Sequence, residues 1–143
     1  MSINNAYPNV HYNLGNIFLS LEQFGDAIKH LKLAVVFNPK FAQAYNNLGL
    51  AYKKIENDID AAINFDKALA IKPDYAEAAN DRGVIYQNIG DYENAIKYYE
   101  RALAINPNLA DSYNNIGLCL NFLKDKTDHA IKSYEDALSI DPN

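Results

Sequence analysis

Cysteine occurs once in this 143-residue chain, at Cys119, so it can form neither an internal disulfide nor a cysteine cage for a metal. A reducing, intracellular setting suits it best. No Asn-x-Ser/Thr glycosylation signal is present, and no apolar run approaches the roughly 20 residues that cross a bilayer. The opening MSINNAYPNV lacks the charged and apolar blocks of a signal peptide, and the expectation is a soluble, cytoplasmic chain. Basic residues are in the minority, 13 against 18 acidic, for a net charge of -5. With no polybasic run to neutralise phosphates, nucleic acid and membrane surfaces are excluded as expected partners.

The parts of a catalytic centre are missing too. His11, His30 and His129 do not occupy equivalent points of any spacing pattern and are not read as metal ligands. Asp58 and Asp60 resemble the start of a calcium loop, but its glycine and distal glutamate are absent, and helix capping accounts for the acids better. No phosphate-cradling glycine loop or nucleophile elbow occurs, so neither a cofactor nor an enzymatic activity is expected. Cys119 reads as a small buried apolar residue.

What the chain has is repetition. Gly15, Gly49, Gly83 and Gly117 stand 34 residues apart, Ala27, Ala61, Ala95 and Ala130 run beside them, and Pro39, Pro73, Pro107 and Pro142 form a third series. A period of this length marks a stacked-repeat architecture. The units align as 8–41, 42–75, 76–109 and 110–143, a single solenoid domain after an N-terminal tail of residues 1–7. In the third unit Tyr86, Ile89, Ala95, Ile96, Tyr99, Ala102, Leu103 and Ile105 recur mostly at three- and four-residue steps, the pattern of amphipathic helices with one buried stripe. Each unit then holds two helices. They break at Gly90-Asp91 or its equivalent, where glycine ends one helix and aspartate caps the next, and the second helix stops before proline. A mid-helix glycine costs about 1 kcal/mol against alanine. Close packing of each glycine on the alanine twelve or thirteen residues later supplies the reason, with Leu31, Phe65, Tyr99 and Tyr134 filling the space around it.

These anchors resemble the tetratricopeptide repeat: Tyr45, Leu48, Gly49, Tyr52, Ala61, Phe65, Ala68 and Pro73 in the second unit, and Leu14, Gly15, Phe18, Ala27, Leu31, Ala34 and Pro39 in the first. Gly83, Tyr86, Ala95, Tyr99, Ala102 and Pro107 carry the pattern in the third, and Tyr113, Ile116, Gly117, Ala130, Tyr134, Ala137 and Pro142 in the fourth. The resemblance implies an all-helical, right-handed superhelix of eight antiparallel helices. Departures are local. Arg82 takes the usual leucine position, expected with its stem packed and its head in solvent, Glu56-Asn57-Asp58 replaces a tidier turn, and one extra residue between Leu120 and Ala130 predicts a longer turn near Lys124 to Asp128.

The resemblance also implies a concave groove lined by the first helix of every unit, with groove positions two before and one after each glycine. Here these are Asn13, Asn47, Asp81 and Asn115, then Asn16, Leu50, Val84 and Leu118, with Tyr12, Asn46, Asn80 and Asn114 beside them and Lys53 and Lys54 adding positive charge near the second unit, Lys54 counted with the groove. A carboxamide donates and accepts, so it can pair with a peptide backbone whatever its side chains. Helices 8 to 10 Å apart would present one rung to roughly every third residue of an extended chain rising about 3.3 Å per residue. The expected function is a protein-interaction scaffold holding an extended or short helical segment of another protein. Family members that clamp acidic chaperone tails use two asparagines, which Asn16 and Asn47 match, and three cations, where this chain has Tyr12, Glu77 and Asp81, so such tails are not expected to bind. Two other readings stand beside this one. One is a structural solenoid stacking head to tail through uncapped end repeats, with Tyr134 and Leu138 exposed; the other is an accessory region that positions substrate for a larger enzyme.

Overall fold

The computed structural model describes residues 6–140. Tail residues 1–5 and Pro142 lie outside them, as do the side chains of Ala130 and Ala137. Seven α-helices succeed one another: α1 Ala6–Ser20, α2 Phe24–Phe37, α3 Ala42–Lys54, α4 Asp58–Ile71, α5 Ala76–Asn88, α6 Tyr92–Ile105 and α7 Ala110–Ile140. Each of the first three pairs packs on itself, and α2, α4 and α6 pack in turn on α3, α5 and α7. The core is a line of alanines and one large side chain per hairpin: Ala27, Leu31 and Ala34, then Ala61, Phe65 and Ala68, then Ala95, Tyr99 and Ala102, all buried. Burying a side chain the size of Phe65 stabilises by about 1.5–3 kcal/mol.

The helix junctions repeat as regularly as the anchors. Glu22, Glu56 and Gly90, 34 residues apart, all take positive φ, at 57°, 60° and 80°. The next residue's amide reaches back five positions, Gln23 to Phe18 O, Asn57 to Tyr52 O and Asp91 to Tyr86 O, a closure that satisfies carbonyls left open at a helix end. Asn57 and Asp91 then cap α4 and α6, accepting from the amides of Asp60 at 3.1 Å and Asn94 at 3.2 Å. Asn57 is thus the cap at the second junction, and Asp58 and Asp60 occupy the first turn, where the helix dipole favours negative charge. The side-chain and backbone bonds from Asn94 hold the Asp91 carboxyl below its ordinary range. At the other end, α2, α4 and α6 stop at Phe37, Ile71 and Ile105, two residues before Pro39, Pro73 and Pro107.

Three expectations are corrected by the packing. The glycines meet the large side chains more closely than the alanines, of which the Ala95 carbonyl oxygen comes within 3.2 Å of a Cβ on Gly83. A Cβ on Gly15 would lie 2.5 Å from Leu31 Cγ, on Gly49 2.5 Å from Phe65 Cε1, and on Gly83 2.7 Å from Tyr99 Cε1. The missing side chain makes room for the large residue one turn beyond the alanine, whose own small size lets the two helices close. Arg82 does not reach solvent with its head: Nε donates to Asp66 Oδ1 at 2.9 Å and the guanidinium lies 4.2 Å above the Tyr86 ring, because a planar cation can both stack and pair.

The fourth unit departs most. Instead of two helices and a long turn at Lys124 to Asp128, α7 runs unbroken for 31 residues, so the described residues hold seven helices rather than eight. No glycine or proline occurs between Leu118 and Ile140. Thr127 Oγ1 and Ser133 Oγ bond the carbonyls of Leu123 and His129 within the helix, and Phe122 stacks on Tyr92 of α6 with centroids 5.0 Å apart. Among the described residues nothing lies within 4 Å of a Cβ on Gly117. Tyr134 and Leu138 are exposed, at 74% and 60%, because the helix that should fold back continues straight on.

Candidate functional site

The surface offered by α1, α3, α5 and the first half of α7 is stitched together by side chains reaching from one unit to the next. Asn47 Nδ2 donates to Asn16 Oδ1 at 2.6 Å, Lys53 Nζ to Asp81 Oδ1 at 2.5 Å, and Ser112 Oγ to Asn80 Oδ1 at 2.7 Å. Each link joins equivalent helices about one repeat apart in sequence. Within the expected carboxamide ladder, Asn16 and Asn47 are therefore already paired with each other, and Asn80 is engaged by Ser112. The pairing fixes helix register, and each amide keeps further donor and acceptor capacity.

The remaining predicted residues divide by exposure. Asn13, Asn114 and Lys54 are exposed, while Asn115, Leu50 and Val84 are half-buried and Leu118 is about half exposed. Leu50 packs against the core of α1 to α4, and Val84 against the cluster of Ala95, Tyr99 and Cys119, so both are rigidly held. Tyr12 leans on Phe41, centroids 4.6 Å apart, and acts as a spacer at the start of α3. Asn46 is buried at 5% exposure, and its Oδ1 is the one buried side-chain acceptor among the described residues without a partner, a cost a ligand donor would relieve.

Asp81 dominates the electrostatics of this face. Desolvation raises its carboxyl above the ordinary value, and the Lys53 ammonium opposes that shift without cancelling it. Burial likewise pushes the Tyr75 hydroxyl up to about 12. Lys53 is expected from the sequence only as added charge, without its bond to Asp81, and Gln87 is not expected there at all; its Oε1 accepts from Tyr99 Oη at 2.7 Å and from the Cys119 thiol at 3.6 Å. Both stand four residues after a repeat glycine. That position was legible in the register, but only packing reveals that it faces the neighbouring unit. The buried Cys119 thiol is pushed up by desolvation, which disfavours a reactive thiolate.

His11 and His30, unlinked in the sequence, meet with Nδ1 atoms 3.1 Å apart, stacked between Phe37 and Phe18. Among the described residues no group of three or more His, Cys, Asp or Glu side chains is placed to hold a metal ion, and no helix is long and apolar enough to cross a membrane. A shallow apolar cleft between α4 and α5, lined by Ile59, Ala62, Ile85 and Ile89 with Asp58 and Arg82 at its polar edge, includes none of the predicted groove residues.

Comparison with known proteins gives one answer from several directions. Models described as tetratricopeptide repeat match residues 42–75 and 74–143, and one described as TPR repeat matches residues 15–56. Among solved structures, MamA is 32% identical, with 95% of this chain and 73% of that chain covered and a TM-score of 0.79. The first TPR of Spaghetti (RPAP3), bound to the HSP90 peptide SRMEEVD, is 23% identical over 83% of this chain and 94% of that one, at a TM-score of 0.81. The Arabidopsis OM64 TPR domain is 20% identical over 82% and 98%, also at 0.81. No curated protein matches the chain.

Proposed function

Since this chain belongs to the tetratricopeptide repeat family, whose domains generally serve as protein–protein interaction modules, we propose that it is a scaffold holding an extended or short helical segment of another protein along α1, α3, α5 and the first half of α7. The observation that carries this reading is the preorganised face itself. Side-chain links lock successive first helices in register, so the polar groups that remain, Asn13, Asn114 and Asn115, sit on a rigid floor with Leu50, Val84 and Leu118 between them. Rigid placement lowers the ordering cost of binding. Carboxamides pair with backbone amides and carbonyls of any sequence, and the apolar rungs supply area for alternate side chains. The setting proposed is cytoplasmic, and the groove residues recruit neither nucleic acid nor a cofactor.

The test begins with random dodecapeptides displayed on phage and selected on the purified chain. A recovered peptide titrated into isotope-labelled protein should shift the amide signals of Asn13, Leu50, Val84 and Asn115. Asn13→Ala combined with Asn115→Ala should weaken binding about 10- to 30-fold, two hydrogen bonds at about 1 kcal/mol each, with thermal unfolding unchanged. Unaltered affinity in that variant, or shifts confined to α2, α4 and α6, would remove the groove from consideration.

A further inference from the structure

The fourth repeat is complete as a pattern and open as a structure. The family pattern matches through residue 143, and Ala130, Tyr134 and Ala137 stand one residue beyond the register of Ala95, Tyr99 and Ala102. In the first three units the large side chain of the second helix lies over the glycine of the first: Leu31 on Gly15, Phe65 on Gly49, Tyr99 on Gly83. In the fourth, none of the described residues fills the place above Gly117, and Tyr134 is 74% exposed. On a straight helix these two residues are about 25 Å apart, seventeen steps at about 1.5 Å each, so they cannot meet within one chain.

Tyr113, Gly117, Leu120, Lys124, Thr127, Ile131, Tyr134 and Leu138 follow one another along α7 at alternating four- and three-residue steps. That is an unbroken heptad stripe, and every residue in it is exposed. Two such helices laid antiparallel with Gly117 opposite Tyr134 place Tyr113 opposite Leu138, Leu120 opposite Ile131 and Lys124 opposite Thr127. Each layer sets a position of one heptad phase against the other, and the same contacts recur on both sides of a two-fold axis between residues 125 and 126. The stripe is its own complement.

We propose that this chain forms a dimer in which the straight α7 helices of two copies pair antiparallel, the second half of each supplying in trans the missing second helix of the other's fourth repeat. The occupant is a second copy because the required partner is an antiparallel helix with a tyrosine above Gly117 and apolar residues in step on either side, and the second half of α7 has that pattern. At about 100° per residue, the stripe lies across α7 from Asn115 and Leu118, so the pairing leaves the proposed groove open. The contact is isologous and closes at two copies, unlike head-to-tail stacking, which continues into rings or filaments. It stands independently of the peptide-binding reading.

The experiment uses the full chain carrying Gly117→Cys with Tyr134→Cys, oxidised and run on a non-reducing gel, with each single variant alongside. The expected result is a covalent dimer at twice the 16.1 kDa of one chain from the double variant and from neither single one. An internal disulfide within one chain means that α7 folds back on itself; free thiols mean that nothing pairs with the stripe; cross-linking by a single variant means random collision. Each of these three overturns the proposal. As a second measurement, Tyr134→Glu with Leu138→Glu should halve the sedimentation mass of the otherwise unaltered protein at constant helicity. A single-chain mass for the unaltered protein from micromolar to millimolar concentration refutes it just as directly.

Discussion

Glycine does three different jobs in this chain, and replacing it has a different consequence, with a different physical cause, at each. At Gly49 an added methyl would lie within 2.8 Å of three atoms of the fully buried Phe65 ring. Overpacking of about 1–3 kcal/mol there outweighs the roughly 1 kcal/mol that alanine gains in a helix. At Gly117 the same methyl meets nothing within 4 Å among the described residues, so only the propensity gain remains. Gly90 sits at φ 80°, where Glu22 and Glu56 hold the equivalent turns at φ 57° and 60°, conformations that cost a side-chain-bearing residue about 1–2 kcal/mol. Denaturant unfolding should therefore find Gly49→Ala less stable by about 1–2 kcal/mol and Glu56→Gly more stable by about 1 kcal/mol. Gly117→Ala should stabilise a version monomerised by Tyr134→Glu and Leu138→Glu by about 1 kcal/mol. Equal effects at Gly49 and Gly117 would show that ring contact is not what the glycines serve.

Among the elements, α7 alone breaks the two-helix rule. A closing turn is available in principle, since Glu22 and Glu56 take the left-handed conformation without being glycine, and Lys124 stands at their register position. What differs is the reward. The first three hairpins each bury a Leu, Phe or Tyr ring over a glycine and are then covered by the following helix, whereas α7 satisfies its backbone by continuing and anchors its middle through Phe122 on Tyr92. Spin labels at Asn114 and Glu135, both exposed, should lie about 32 Å apart in chains diluted with unlabelled protein, twenty-one steps of about 1.5 Å. A separation near the 8–10 Å of packed helices would mean that the fourth repeat closes on itself in solution.

At the scale of the whole molecule, the central face of the solenoid carries a carboxylate where an acid-binding groove would need a cation. Asp81 is desolvated, bound to Lys53, and followed along the face by Asp111, with Glu77 adding its field. A net charge of -5 extends the same sign over the molecule, so a peptide ending in acidic residues should be repelled on approach and left unpaired on arrival. Calorimetric titration with such a peptide should give no binding at low salt. Asp81→Asn with Glu77→Lys should admit weak binding that disappears as salt rises. Tight, salt-sensitive binding by the unaltered protein would contradict this reading.

Repeat length, helix pairing, the buried alanines and the stops before proline were all legible in the sequence, because each is a local or periodic consequence of residue type: glycine and proline punctuate, and apolar residues at three- and four-residue steps can bury only one stripe. The groove positions were legible as register, through the family resemblance, but their hydrogen-bond state was not. Asn47 on Asn16, Lys53 on Asp81 and Ser112 on Asn80 join residues 28 to 32 positions apart, and which amides pair depends on how one helix slides against the next. The large side chain above Gly15, Gly49 and Gly83 and the guanidinium of Arg82 on Tyr86 were likewise set by packing. So was the course of α7, whose local sequence suits both a straight helix and a hairpin. Only the balance between a continued helix and a buried tyrosine, a difference of tertiary contacts, decides between them.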